Sequence, residues 1–114
     1  MERPQIGWIL ASERSDFTQT AGVGEFEGSY ALDRNRGGIV KSGSVYKPLG
    51  GLTIQAGTAI TCRRSRGPAK FQWLIDGAVV ATILPQNKEY CAMVSGQGEF
   101  KLTDFSYETQ VIVI

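Results

Sequence analysis

At 114 residues the chain is long enough for one compact domain whose core needs no metal or disulfide staple. Twelve Lys and Arg against eleven Asp and Glu leave a formal charge of +1, without the basic excess of a chain built to grip nucleic acid. Histidine is absent, which removes the commonest general base, the commonest zinc ligand and every Ser-His or Cys-His pair.

Fourteen glycines with four prolines imply many tight turns between short strands. The apolar patch in MERPQIGWILASERS is shorter than a signal-peptide core, and no run approaches a membrane span. These features lead to the expectation of a chain folded in a reducing cytoplasm. There, Cys62 and Cys91 are expected as buried free thiols in preference to a bridge.

In chain order, Ile6 to Ala11 reads as a short apolar strand, and Gly22 to Leu32 as an alternating one. Asp33 to Gly38 is a turn by composition, followed by a strand over Ile39 to Tyr46. Pro48 to Gly51 breaks the pattern and sets the internal boundary: an N-terminal β-hairpin extension over 1–48, and a sandwich core over 49–114. The core has strands at Leu52 to Gln55, Thr58 to Arg64, Ala69 to Asp76, Ala78 to Leu84, Glu89 to Val94, Glu99 to Asp104 and Tyr107 to Ile114. Asp76-Gly77 is a hairpin signal, and Ser95 to Gly98 reads as another tight turn. On the central strand Phe71, Trp73 and Ile75 share one face, so Trp73 is expected in the core.

Three stretches, LTIQAGTAITC, QWLIDGAVV and YCAMVSGQGEFKLTDF, carry a family likeness. From about Leu52 onward the chain resembles an immunoglobulin-like domain of the kind found in bacteriophage virion and bacterial surface proteins. The resemblance implies an all-β, immunoglobulin-like antiparallel β-sandwich with Cys62 and Trp73 on successive strands facing inward. Tyr90 abuts Cys91 where antibody-type domains place tyrosine two residues before the second cysteine, so Cys91 is assigned to the strand before the last hairpin.

Few residues invite a chemical role. Glu25 and Glu27 stand about 6.6 Å apart if they share a strand face, a common spacing on exposed strands, and no catalytic residue is assigned. No cofactor or metal site is expected either. Trp8, with Ile9, either caps the sandwich edge or contacts another subunit. Arg63, Arg64 and Arg66, with Lys70, form a basic loop suited to solvent or an acidic neighbour. The terminal QVIVI strand is apolar on both faces; Ile112 and Ile114 sit inside the sandwich or against another chain.

Together with the resemblance, these features lead to the expectation of a non-enzymatic structural protein of a virus particle, made in the host cytoplasm. Its leading form is a bacteriophage capsid decoration or cement protein. Such a protein binds major capsid or other virion proteins, with homo-oligomeric copies in the assembly and without membrane or nucleic-acid contact. The partner interface is expected at Trp8, Ile9, Arg63, Arg64, Arg66, Ile112 and Ile114. The alternative is a carbohydrate- or receptor-binding module of a phage tail or fibre, with Trp8, Tyr30, Tyr46 and Tyr107 as its aromatics.

Overall fold

A computed structural model describes residues 5–12, 22–34, 36–50, 54–65, 69–86, 88–96, 100–106 and 108–114. The strands among them are β1 (Gln5–Leu10), β2 (Tyr30–Asp33), β3 (Gly38–Lys41), β4 (Ser44–Pro48), β5 (Ala59–Ser65), β6 (Lys70–Ile75), β7 (Ala78–Ile83), β8 (Tyr90–Ser95), β9 (Lys101–Phe105) and β10 (Thr109–Val113). They form two five-stranded antiparallel sheets, ordered β4-β3-β2-β1-β8 and β7-β6-β5-β10-β9. The chain is an all-β sandwich.

Period-two alternation decides which side chains meet between the sheets. Ile6 and Trp8 of β1, Tyr30 and Leu32 of β2, Ile39 of β3 and Tyr90 of β8 point inward from the first sheet. Ile60 and Cys62 of β5, Phe71 and Trp73 of β6, and Ile112 of β10 answer from the second. Trp8 stacks on Phe71 with ring centroids 4.8 Å apart. Polar atoms stitch the same seam. The Trp73 indole N–H donates to the Ile6 carbonyl at 2.8 Å, and the Gln110 amide donates to the Gly7 carbonyl at 2.7 Å.

This arrangement corrects the division at Pro48. The first 48 residues are not an extension laid on a finished sandwich: β1 to β4 are four of the five strands of one sheet. The fifth, β8, comes from the second half and pairs with β1 from Gln5↔Ser95 to Leu10↔Tyr90. The second half alone would leave Phe71 and Trp73 facing water, which is the physical reason the halves form one core.

The sandwich is compatible with an immunoglobulin-like fold, with one difference in pairing. Cys62 and Trp73 are direct cross-strand partners on adjacent strands of one sheet. In the antibody arrangement those strands belong to opposite sheets.

Three expected strands are also revised. Val23–Glu25 is a 3-10 turn, and Gly28 takes φ 74° before β2 begins at Tyr30. Glu25 and Glu27 therefore do not share a strand face. Ile39 to Tyr46 is not one strand but the hairpin β3–β4, turned at Ser42-Gly43 with φ 51° and 85°. Two successive positive φ values make the tight two-residue turn that matches strand twist. Asp76-Gly77, with φ 47° and 85°, builds the β6–β7 hairpin in the same way, as expected. Of the expected strand at Leu52 to Gln55, Leu52 and Thr53 lie outside the described residues; Ile54 and Gln55 belong to no strand.

The residues around the 3-10 turn cover the outer face of the first sheet. Ile9, Val23, Phe26 and Ala31 form a second apolar cluster there, with Cys91 and Met93 against it. Its buried polar groups are paired, as burial requires. Gln5 donates to Asp33 at 2.6 Å and accepts from the Gly24 N–H, while Ser95 accepts from the Val23 N–H. Arg36 closes the network on Glu25 at 2.7 Å.

Among the described glycines, Gly7 leaves the least room for a side chain. A Cβ there would stand 1.9 Å from the Tyr30 carbonyl oxygen and 2.8 Å from the Ala31 Cα, both backbone atoms of β2. Gly7→Ala is expected to cost at least about 2–3 kcal/mol, the upper part of the range for forced overpacking. Urea unfolding followed by tryptophan fluorescence measures it; a loss within about 0.5 kcal/mol, as at ordinary surface sites, would contradict the close β1–β2 approach.

Candidate interaction surface

The residues expected at a partner interface are scattered by the fold. Trp8 is 0 % exposed, stacked on Phe71 and touched at its side by the guanidinium of Arg64, whose carbon stands 5.4 Å from the indole centroid. Its side chain is core and cannot meet a partner. Ile9 is buried beneath the 3-10 segment, and Ile112 is fully buried between the sheets. Ile114 is half-buried, its backbone bonded to Thr58 and Gly57. The QVIVI strand that asked for cover finds it inside the chain, between β5 and β9.

The basic cluster divides as well. Arg63 is exposed and donates to Gln72 at 3.1 Å. Arg64 falls in phase with Ile60 and Cys62, so it turns inward at the end of β5. There its guanidinium lies over Trp8 and Phe71 and donates to the Tyr90 carbonyl at 3.3 Å. It closes the end of the core. Arg66 lies outside the described residues.

Exposed apolar side chains lie elsewhere, and most sit on the outermost strands. On β4 they are Val45 and Tyr46, on β7 Val79, and on β9 Leu102 and Phe105. Leu102 is 46 % exposed and Phe105 52 %. Their partners on β10 are Ile112 and Gln110, both inward-facing and buried. Leu102 and Phe105 therefore carry the inward face of the second sheet past the point where the first sheet covers it. Every residue of β9 is exposed. The sequence gives little sign of this, because a β-bulge between Val111 and Ile112 disturbs the alternation of KLTDF.

A cleft of about 460 Å³ is lined by Ser12, Glu27, Lys41, Ser42, Gln86 and Lys88, among others. The Lys41 ammonium stands 5.2 Å from the Tyr30 ring centroid and 5.3 Å from that of Tyr46. Of the aromatics in the carbohydrate alternative, Trp8 and Tyr30 are buried, Tyr46 is exposed, and Tyr107 lies outside the described residues. Among the described residues, no group of three or more Cys, Asp or Glu side chains could hold a metal ion.

The two cysteines belong to different sheets and different apolar clusters, Cys62 to β5 and Cys91 to β8. Cys62 is in the core between the sheets, where burial pushes its thiol pKa well up and the nearby Trp8 indole offsets part of the rise. Cys91, one residue out of phase with Tyr90 and Ala92, is half-buried against the outer cluster. Burial also raises the Tyr90 phenol, with Tyr30 adding to the rise.

No protein-family model, curated protein or solved structure matches the chain.

Two outcomes are expected from these positions. In urea unfolding, Arg64→Ala is expected to cost about 1–2 kcal/mol through lost stacking and stem packing. Arg63→Ala is expected to stay within about 0.5 kcal/mol, and equal effects would contradict the inward placement of Arg64. In native protein, a thiol-specific reagent is expected to modify Cys91 well before Cys62, because the thiolate is the reactive form. The raised native pKa of Cys62 also gives a sign: it is the unfolded state that loses the proton first. Its contribution to stability is complete below the ordinary thiol range and falls as pH rises through that range toward the native value. Equal reaction rates at the two thiols would contradict their placement.

Proposed function

We propose that this chain is a non-enzymatic structural subunit of a larger particle, binding its neighbours through the edges of its sandwich. The observation that carries this reading is the row of uncovered apolar side chains on β9, above all Leu102 and Phe105. A core that is complete within the chain does not need them for folding. Apolar groups on a strand edge with free backbone donors and acceptors favour association. The near-neutral charge of +1 agrees with contacts made by shape and apolar burial more than by long-range attraction.

The more specific form is a decoration or cement protein of a bacteriophage capsid. It is supported by the resemblance of the LTIQAGTAITC, QWLIDGAVV and YCAMVSGQGEFKLTDF segments to immunoglobulin-like virion domains. Its mechanism is binding: copies docked across joints between major capsid subunits add buried surface and hold the joints closed. An interface of this kind needs on the order of 1,200–2,000 Å² of buried surface concentrated on a few apolar anchors. The anchors proposed here are the edge residues, replacing the Trp8 segment. A second reading, a glycan- or receptor-binding module, is favoured by the cleft beside Lys41 and by the exposed Tyr46.

Co-sedimentation with particles lacking this protein distinguishes the two. Intact protein is expected to sediment with the particles, and Phe105→Ala to weaken binding about tenfold or more, as loss of an interface anchor does. Its circular dichroism is expected to match the parent. Failure of the intact protein to sediment, together with glycan-array binding lost on Lys41→Ala, would replace the structural reading with the glycan-binding one.

A further inference from the structure

The outer strand β9 carries a pattern that complements itself. Because the bulge inserts one residue, Leu102 and Phe105 share the inward face, although they are three positions apart. Lys101 and Asp104 share the opposite face, since their partners on β10 are Val113 and Val111. All four side chains are exposed.

We propose that a second copy of this chain docks antiparallel along β9, across a two-fold axis passing between Thr103 and Asp104. In that register Leu102 stands opposite Phe105 of the second copy, and Phe105 opposite its Leu102. Two apolar cross-strand pairs then cover the overhanging edge. On the other face Lys101 lies diagonal to Asp104 of the second copy, within reach of a long side chain, and the symmetry makes the ion pair twice. A two-fold contact needs a surface that matches itself in this way. The two β7-to-β9 sheets join into one continuous sheet of ten strands.

The same residues select against other pairings. A parallel, in-register approach sets Lys101 against Lys101 and Asp104 against Asp104, a like-charge arrangement that destabilises a strand pair. A bulge and a lysine on an edge discourage indiscriminate strand addition, so they narrow the partners of β9 without closing it. The other apolar edges lack the self-matching charge. β4 carries Lys47 with no acidic residue, and β7 carries no charged residue.

This inference rests on the reading that the β9 edge serves assembly, but its test is separate. Sedimentation equilibrium of the intact chain over a range of concentrations reads the monomer–dimer balance directly. The parent protein is expected to dimerise, and Leu102→Glu to weaken the dimer by roughly tenfold or more through its two symmetric copies. Lys101→Asp and Asp104→Lys are each expected to weaken it as well, and mixing these two variants to restore it. In the mixed dimer each acidic 101 side chain, or its lysine counterpart, finds the opposite charge at position 104. Restoration on mixing also excludes misfolding of either variant. Homodimers of the parent that weaken with added salt would agree.

A parent that stays monomeric at all concentrations overturns the proposal, as does a dimer indifferent to all three substitutions. If the monomer still sediments with particles, the docking of a second copy fails while the assembly reading stands. If the dimer forms with this charge pattern but no particle binds it, the assembly reading fails and the two-fold contact stands.

Discussion

The structure depends on the seam where β1 meets β6 and β10. Trp8 lies flat on Phe71, the Trp73 indole holds the Ile6 carbonyl, and Gln110 holds that of Gly7. Backbone carbonyls rarely serve as the join between two sheets, because ladder bonds usually engage them within one sheet. Here β1 presents two in succession to the facing sheet. The partners are distant in sequence: Trp73 and Ile6 are 67 residues apart, and Gln110 and Gly7 are 103 apart. A contact of this separation closes most of the chain into one loop, so neither half holds its core without the other.

Once β1 is fixed, the outer parts follow. It seats β2 on one side and β8 on the other, and the residues around the 3-10 turn cover its outer face. Arg64 closes the end of the core over Trp8 and Phe71. Trp8 and Ile112 are thereby withdrawn from any outside role. The remaining uncovered apolar groups lie where one sheet extends past the other, at β9, and on the outer strands β4 and β7. The apolar surface left for outside contact therefore lies at the margin of the sandwich and not in its interior.

Parts of this were readable from the residues alone. Phe71 and Trp73 fall in phase with Ile75 on one face of their strand, which points them to the core, and Asp76-Gly77 fixes a hairpin by its own backbone preference. Ser42-Gly43 makes the same turn, but Ser is a weaker signal than Asp at a positive φ, and the two strands it joins read as one. Trp8 was open to two readings because its burial is decided by Phe71 and Arg64, far along the chain. Gly24 and Gly28 interrupt an alternation that looked like a strand. The β9 edge was hidden for a different reason. Exposure of Leu102 and Phe105 depends on how far the facing sheet reaches, a property of the assembled sandwich that no local pattern encodes.

The central claim is that the two halves are one cooperative core joined through β1. Native-state amide hydrogen exchange across a series of low denaturant concentrations tests it most directly, since it reads the opening of each strand separately. The amides of β1 and β6 are expected to exchange through one common global opening, with equal free energies and equal denaturant dependence. If β1 to β4 opened together at a lower free energy while β5 to β7 stayed protected, the first half would be an appended layer, and the shared core would be contradicted.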